Sequence, residues 1–146
     1  MEKKIRFVRL SNKMLTIQRI AEINGLLKQL SKRAKDLSKG DLTRKLRKPI
    51  FWLLALDGKT IAGMATICFR EPPIDKIGTI EGVIVAQAYQ GRGIGETLNK
   101  MLIEEAKKRK MSHIELTSRP ERKAANALYK KLGFKKPKTN YLRLYF

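Results

Sequence analysis

The sequence predicts an α/β sandwich, a central mixed β-sheet flanked by helices, formed by a single domain over residues 1–146. Three observations carry this expectation. Strand-like and helix-like segments follow one another in the order β-α-α-β-β-β-α-β-α-β, which fits one sheet with helices packed on it. Asp57-Gly58 sits between two apolar runs, the pattern of a tight hairpin. A β-branched run, Thr79–Ala86, leads through a turn with three glycines into an amphipathic stretch.

Each element has its own warrant. Lys4–Leu10 sets Ile5, Phe7, Val8 and Leu10 among Arg6 and Arg9, and its β-formers favour a strand. Ser11-Asn12 offer capping side chains for a first helix carrying Met14, Ile17, Ile20, Ile23, Leu27 and Leu30. From Lys28 to Lys48 the chain turns basic, with nine Lys/Arg against two acids, and Gly40-Asp41 marks a break with a second short helix. Phe51–Leu56 and Thr60–Phe69 are the hairpin strands, and Pro72-Pro73 starts a loop. Ile94, Leu98, Met101, Leu102 and Ala106 make a helical stripe that ends in the cations Lys107–Lys110, which complement a helix C-terminus. His113–Thr117 reads as a short strand, Arg122–Leu132 as a helix and Tyr141–Phe146 as a closing strand.

Composition narrows the function classes. A chain of 146 residues, 42% hydrophobic, can bury one substantial core. Its mean hydropathy of −0.37 is that of a soluble globular protein. No run approaches the roughly 18 apolar residues of a membrane span. The start, MEKKIRFVRL, has no long apolar region, so no signal peptide is expected and cytoplasm is the expected location. Cys68 is the one cysteine and reads as a small buried hydrophobe. His113 has no second histidine or cysteine to join, so no metal site is expected. Net charge is the outlier: 33 Lys+Arg against 13 Asp+Glu give +20. Such a field attracts phosphates, nucleic acid, acidic proteins or anionic cofactors. The plainer reading is a solvated basic face.

The turn Tyr89-Gln90-Gly91-Arg92-Gly93-Ile94-Gly95-Glu96 is the candidate anion site. The first turn of a helix offers unpaired N–H groups and the positive end of the helix dipole. Glycine lets the backbone approach a phosphate closely, and Arg92 adds charge. A Walker A loop is excluded, because Gly95 is followed by Glu96-Thr97. The dinucleotide fingerprint fails at its third glycine, where Glu96 stands, although Glu115 falls about twenty residues on. From these residues alone, a phosphate cradle, an incomplete fingerprint and a plain glycine turn all stay open.

A second stretch, Asn126-Ala127-Leu128-Tyr129-Lys130-Lys131-Leu132-Gly133-Phe134, places a tyrosine inside a helix that ends at glycine. With both stretches, the chain resembles the GNAT superfamily of acetyl-CoA-dependent N-acetyltransferases. That family's Gln/Arg-x-x-Gly-x-Gly/Ala signature between strand and helix is met by Gln90-Gly91-Arg92-Gly93-Ile94-Gly95. Its A-x-x-L-Y-x-x-x-G-F signature is met by Ala125, Leu128, Tyr129, Gly133 and Phe134. Ile80-Glu81-Gly82-Val83-Ile84-Val85 is also similar to a strand of glucosamine-phosphate acetyltransferases. One position departs: many protein-acetylating members carry asparagine seven residues before the tyrosine, and this chain has Arg122.

The resemblance implies a site. The backbone amides of Gly91 to Glu96, opened by Gln90 and assisted by Arg92, would hold the pyrophosphate of acetyl-CoA, with no metal. Val83, Ile84 and Val85 would pair with the pantetheine arm, and an N–H there would polarise the thioester carbonyl, worth roughly 3 kcal/mol for one donor. Asn126 would hold the cofactor arm in place of the missing asparagine. Tyr129 would protonate the departing thiolate, against the alternative of a ring packed in the core. Glu81 is the candidate general base, against orienting substrate or capping backbone. The partner is then an amine acceptor, a small molecule or a protein. The basic first helix pair favours one bearing phosphate or carboxylate. Two other readings use the same fold: a basic nucleic-acid- or ribosome-associated module, and a non-catalytic coenzyme A sensor. The apolar end YLRLYF suits a homodimer edge.

Overall fold

The computed structural model describes residues 4–146 and contains a five-stranded sheet with four α-helices. In chain order these are β1 (Arg6–Arg9), α1 (Ile17–Leu30), α2 (Lys39–Leu46), β2 (Ile50–Asp57), β3 (Thr60–Arg70), β4 (Ile77–Val85), α3 (Ile94–Lys108), β5 (His113–Glu115) and α4 (Lys123–Lys131). The strands lie in sequence order, antiparallel up to β4, and β5 runs parallel to β4. A parallel neighbour needs a crossover, and α3 supplies it. The mixed α/β sandwich expected from the sequence is the fold observed.

β2 and β3 are apolar without clean alternation because both faces of the sheet are covered. Leu53, Ala65, Ile67 and Ile80 pack with Ile94, Leu98 and Leu102 of α3 on one face. Trp52, Leu54, Leu56 and Met64 pack with Ile23, Leu26 and Leu42 of α1 and α2 on the other. Each fully buried leucine here contributes about 1.5–3 kcal/mol of transfer free energy. Gly63 lets α3 lie close to β3, since a methyl group there would meet the Ile84 carbonyl at 3.1 Å and Ile94 Cγ2 at 3.3 Å. The hairpin forms as read: Asp57 pairs with Thr60, and Gly58 takes φ 59°.

Two expectations need correction. Ser11-Asn12 do not cap the first helix. They open a short 3₁₀ turn over Asn12–Met14, and the Thr16 side chain accepts from the Arg19 N–H to start α1. Met14 therefore precedes the helix. Tyr141–Phe146 forms no strand. Its alternation survives, with Arg143 donating to the hydroxyls of Tyr141 and Tyr145, both at 3.2 Å. No ladder partner lies beside it among the described residues, and Leu142, Leu144 and Phe146 stay exposed. Alternation gives a segment two faces; it does not supply the neighbour whose hydrogen bonds make it a strand.

α2, short and polar, depends on its cap. Ser38 and Asp41 form a reciprocal capping box, and Arg44 pairs with Asp41 at 2.7 Å. The Ser38 backbone and hydroxyl, then Arg44, hold the Asp41 carboxyl at about 2, below its ordinary 3.8. A depressed folded pKa means that this stabilisation is complete above the unfolded value and is lost as pH falls through the folded one. Asp41→Asn is expected to lower stability at neutral pH and to flatten the acid loss between pH 3.8 and about 2, measured by urea melts across that range.

Candidate active site

The site grows out of an irregularity in β4. Thr66 pairs with Glu81 and Met64 with Ile84, so three steps along β4 match two along β3. The extra residue lies at Gly82-Val83, and Gly82 takes φ 60°, a left-handed conformation that favours glycine. β5 follows β4 only from Ile77 to Thr79. Beyond Thr79 no strand lies against the outer edge of β4 among the described residues.

That edge is capped by side chains. The Ala86 N–H donates to the Ala62 carbonyl at 2.8 Å. By antiparallel alternation, the next pair, Gly63 with Val85, turns its peptide groups outward. The Val85 carbonyl accepts from Gln29 Nε2 at 3.0 Å and Gln90 Nε2 at 3.3 Å. The Val83 carbonyl accepts from an Arg122 guanidinium nitrogen at 3.4 Å. Donors from α1, the glycine turn and the start of α4 thus converge on one short stretch of strand.

The glycine turn opens onto α3. Gly91 and Gly93 both take φ 76°, and Gly93 is the N-cap. A methyl group at either would meet no atom within 4 Å, so the backbone conformation, not crowding, selects glycine. At Gly95 a methyl group would lie 3.6 Å from Val85 Cγ2, which places the first turn of α3 directly on β4. Arg92 folds back, donating to the Ala88 carbonyl at 3.3 Å with its guanidinium 5.2 Å from the centre of the Tyr89 ring. The Tyr89 hydroxyl donates to Asp57 at 2.9 Å, which raises its pKa and makes the residue a strut. Glu96, in the first turn, is held by Lys100 at 2.8 Å and Lys131 at 3.0 Å; both lower its pKa, and Lys131 joins α3 to α4.

α4 ends in a Schellman cap. The Phe134 N–H donates to the Tyr129 carbonyl at 3.0 Å and the Gly133 N–H to the Lys130 carbonyl at 3.1 Å, with Gly133 at φ 96°. The rings of Tyr129 and Phe134 meet edge to face, 5.7 Å apart. Tyr129 is 7% exposed; burial raises its pKa, and the charge of Arg122 opposes that rise. Leu128, one residue earlier, reaches within 4.0 Å of where a Gly95 side chain would begin.

Residues 19–134 match the Acetyltransferase (GNAT) family. The chain belongs to the GNAT acetyltransferase family. An uncharacterized N-acetyltransferase of Methanocaldococcus jannaschii is 36% identical over 86 residues, 58% of this chain and 38% of that protein. The chain therefore spans well under half the length of this curated relative. Glucosamine-6-phosphate N-acetyltransferase from Arabidopsis thaliana superposes with a TM-score of 0.79 at 19% identity, covering 98% of this chain and 99% of that one. A predicted acetyltransferase with acetyl-CoA from Clostridium acetobutylicum superposes with a TM-score of 0.77 at 20% identity, covering 97% and 96%. At such identities the two structures attest the shared fold.

In this GNAT fold the glycine turn meets β4 where Gly95 lies against Val85, and Arg122, at the start of the helix that carries Tyr129, reaches Val83. The Asn126 side-chain amide donates to the Arg119 carbonyl at 3.0 Å and fastens the loop before α4. Glu81 lies on the opposite side of β4 from Ile80, exposed, in register with Thr66, whose hydroxyl donates to the Glu81 carbonyl at 2.6 Å. Burial and then the nearby Glu81 charge raise the pKa of Cys68, which Lys45 opposes. That face of the sheet brings Glu81, Cys68 and Lys45 together beneath α2. Glu115 pairs with Arg70 at 2.8 Å. Sequence reading missed Gln29, which acts 56 residues from Val85 with no motif around it. Arg122 was visible only as a departure from the family pattern.

The cap that ends α4 gives a test of this arrangement. Gly133→Ala forces a side chain into the left-handed region at a cost of about 1–2 kcal/mol. Chemical denaturation is expected to register that loss.

Proposed function

We propose that the chain is an acetyl-CoA-dependent N-acetyltransferase that transfers the acetyl group to a primary amine by direct attack on the thioester. One observation carries the reading. Two left-handed glycines, the unpaired amides of α3 and the edge of β4 that side chains rather than a strand cover meet at one point, with α4 held against both by Leu128 and Arg122. Acetyl-CoA supplies an acetyl group activated as a thioester. The residues present fit it: the space above Gly91 and Gly93 is open, and the N–H groups of the α3 first turn have no acceptor within their own helix. These amides, with Arg92 swung from Tyr89, would hold the pyrophosphate; the outward edge at Val83 to Val85 would hold the arm.

The chain's own groups then move two protons. An aliphatic amine, with a pKa of about 10, must lose a proton before it can attack. Glu81, exposed on the bulged strand, takes that proton directly or through water. As the C–N bond forms and the C–S bond breaks, Tyr129 gives its hydroxyl proton to the departing sulfur. The acylated nitrogen sheds its second proton, which restores the Tyr129 hydroxyl through solvent, and solvent removes the proton held by Glu81, leaving amide, free thiol and one released proton.

The acceptor we favour carries phosphate or carboxylate near its amine. Lys32, Arg33, Lys35, Lys39, Lys45, Arg47 and Lys48 form no ion pair among the described residues, so the α1–α2 side keeps its positive potential. Asp36 and Asp41 each serve a different cation, Lys28 and Arg44.

Acetyl-CoA at a hundredfold excess over Kd should stabilise the protein by about 2.7 kcal/mol, and Gly93→Asp should abolish the shift in thermal melts. No shift with acetyl-CoA, against a salt-sensitive one with RNA, would instead favour the nucleic-acid module. Tyr129→Phe is expected to keep the acetyl-CoA shift and to lose about 10²–10⁴-fold in amine-dependent thiol release. Release at the wild-type rate would remove Tyr129 as the acid.

A further inference from the structure

Arg122 is held in an unfavourable place. It is the N-cap residue of α4, where the helix dipole is positive and the first turn carries no acid. Lys123 follows it, and no carboxylate pairs with Arg122 among the described residues. A surface arginine in such a field would extend into solvent. This one is half-buried, and it turns back across 39 residues of sequence to the Val83 carbonyl.

Val83 belongs to the extra-residue stretch of β4, the least constrained part of the strand. Arg122 and Tyr129 stand seven residues apart, about two helical turns, and so share one side of α4. The contact that fixes Arg122 therefore also fixes the side of α4 that carries the buried tyrosine. At the other end of that helix, Lys131 is tied to Glu96 of α3. α4 is clamped at its two ends to two elements of the site, β4 and α3.

We propose that Arg122 is a positioning residue for acetyl transfer: its guanidinium, fixed on the Val83 carbonyl, locks the start of α4 to the bulged part of β4 and holds the Tyr129 hydroxyl toward the departing sulfur. The inference rests on the acetyl-transfer reading of the same site. An amide side chain could make the same hydrogen bond, but only a cation adds a fixed positive charge beside the tyrosine. Burial raises the Tyr129 pKa and Arg122 counters it, so the charge acts in the direction that eases proton donation.

The test compares steady-state kinetics and acetyl-CoA-dependent melting of the full chain and five variants. Arg122→Met should keep the acetyl-CoA shift and a KM for acetyl-CoA within about threefold, while kcat falls about tenfold or more. Arg122→Lys should recover part of kcat, and added guanidinium should raise the rate of Arg122→Ala. On a Tyr129→Phe background, Arg122→Met should cost less than about threefold, because both changes remove one function. Additive losses, an unchanged kcat, or a raised KM at full kcat would overturn the proposal. The wild-type chain separates the two levels: if it neither binds acetyl-CoA nor releases thiol, the acetyl-transfer reading fails and Arg122's role falls with it. If it does both while Arg122→Met stays fully active, only the positioning role fails.

Discussion

One extra residue in β4 sets the geometry of this molecule. Up to Glu81 the strand is an ordinary partner of β3, and at Ile84 it is one again, but the two stretches differ in register by one position. The strand therefore bends, and β5, paired over Ile77–Thr79, does not follow it. A wedge opens between parallel neighbours that would otherwise stay zipped. Backbone polar groups exposed in that wedge need partners, and Gln29, Gln90 and Arg122 reach in from three directions to satisfy the carbonyls. The glycine turn and α3 begin where the bent strand ends. The uncovered end of β4, the glycine turn and the start of α4 meet at that single insertion.

Rigidity around the wedge comes from close packing. Gly63 removes a side chain that would crowd α3 against β3 and β4, and Ile94, Leu98 and Leu102 then fill the interface. The helix N-terminus is thereby fixed against the sheet before any ligand arrives. Preorganised donors of this kind cost no reorientation during reaction. On the other face, α1 and α2 cover Trp52, Leu54 and Met64 and leave Glu81 exposed at the margin.

Much of this was legible in the sequence because it is local. The Asp57-Gly58 hairpin, the strand–glycine–helix junction and the tyrosine helix ending at Gly133 each depend on residues within one or two turns of each other. What was not legible depends on distance or competition. Nothing about Gly82 distinguishes a bulge from an ordinary glycine until the register of β3 is known. Gln29 looks like any surface glutamine on an amphipathic helix. Asn126 carries a fitting side chain, but a carbonyl six or seven residues earlier takes its donor. Ser11-Asn12 are good caps, yet the chain tightens into a 3₁₀ turn there and Thr16 takes the position. Tyr141–Phe146 has a strand's alternation and no strand to join.

That last segment bears on how copies of the protein behave together. Leu142, Leu144 and Phe146 lie along one side of an unpaired, β-periodic run, the kind of edge that templates association between chains. A charge of +20 on every copy opposes their approach. The reach of that repulsion is set by the medium: the Debye length is about 30 Å at 0.01 M salt and about 10 Å at 0.1 M. Ionic strength therefore sets how far the repulsion between copies reaches.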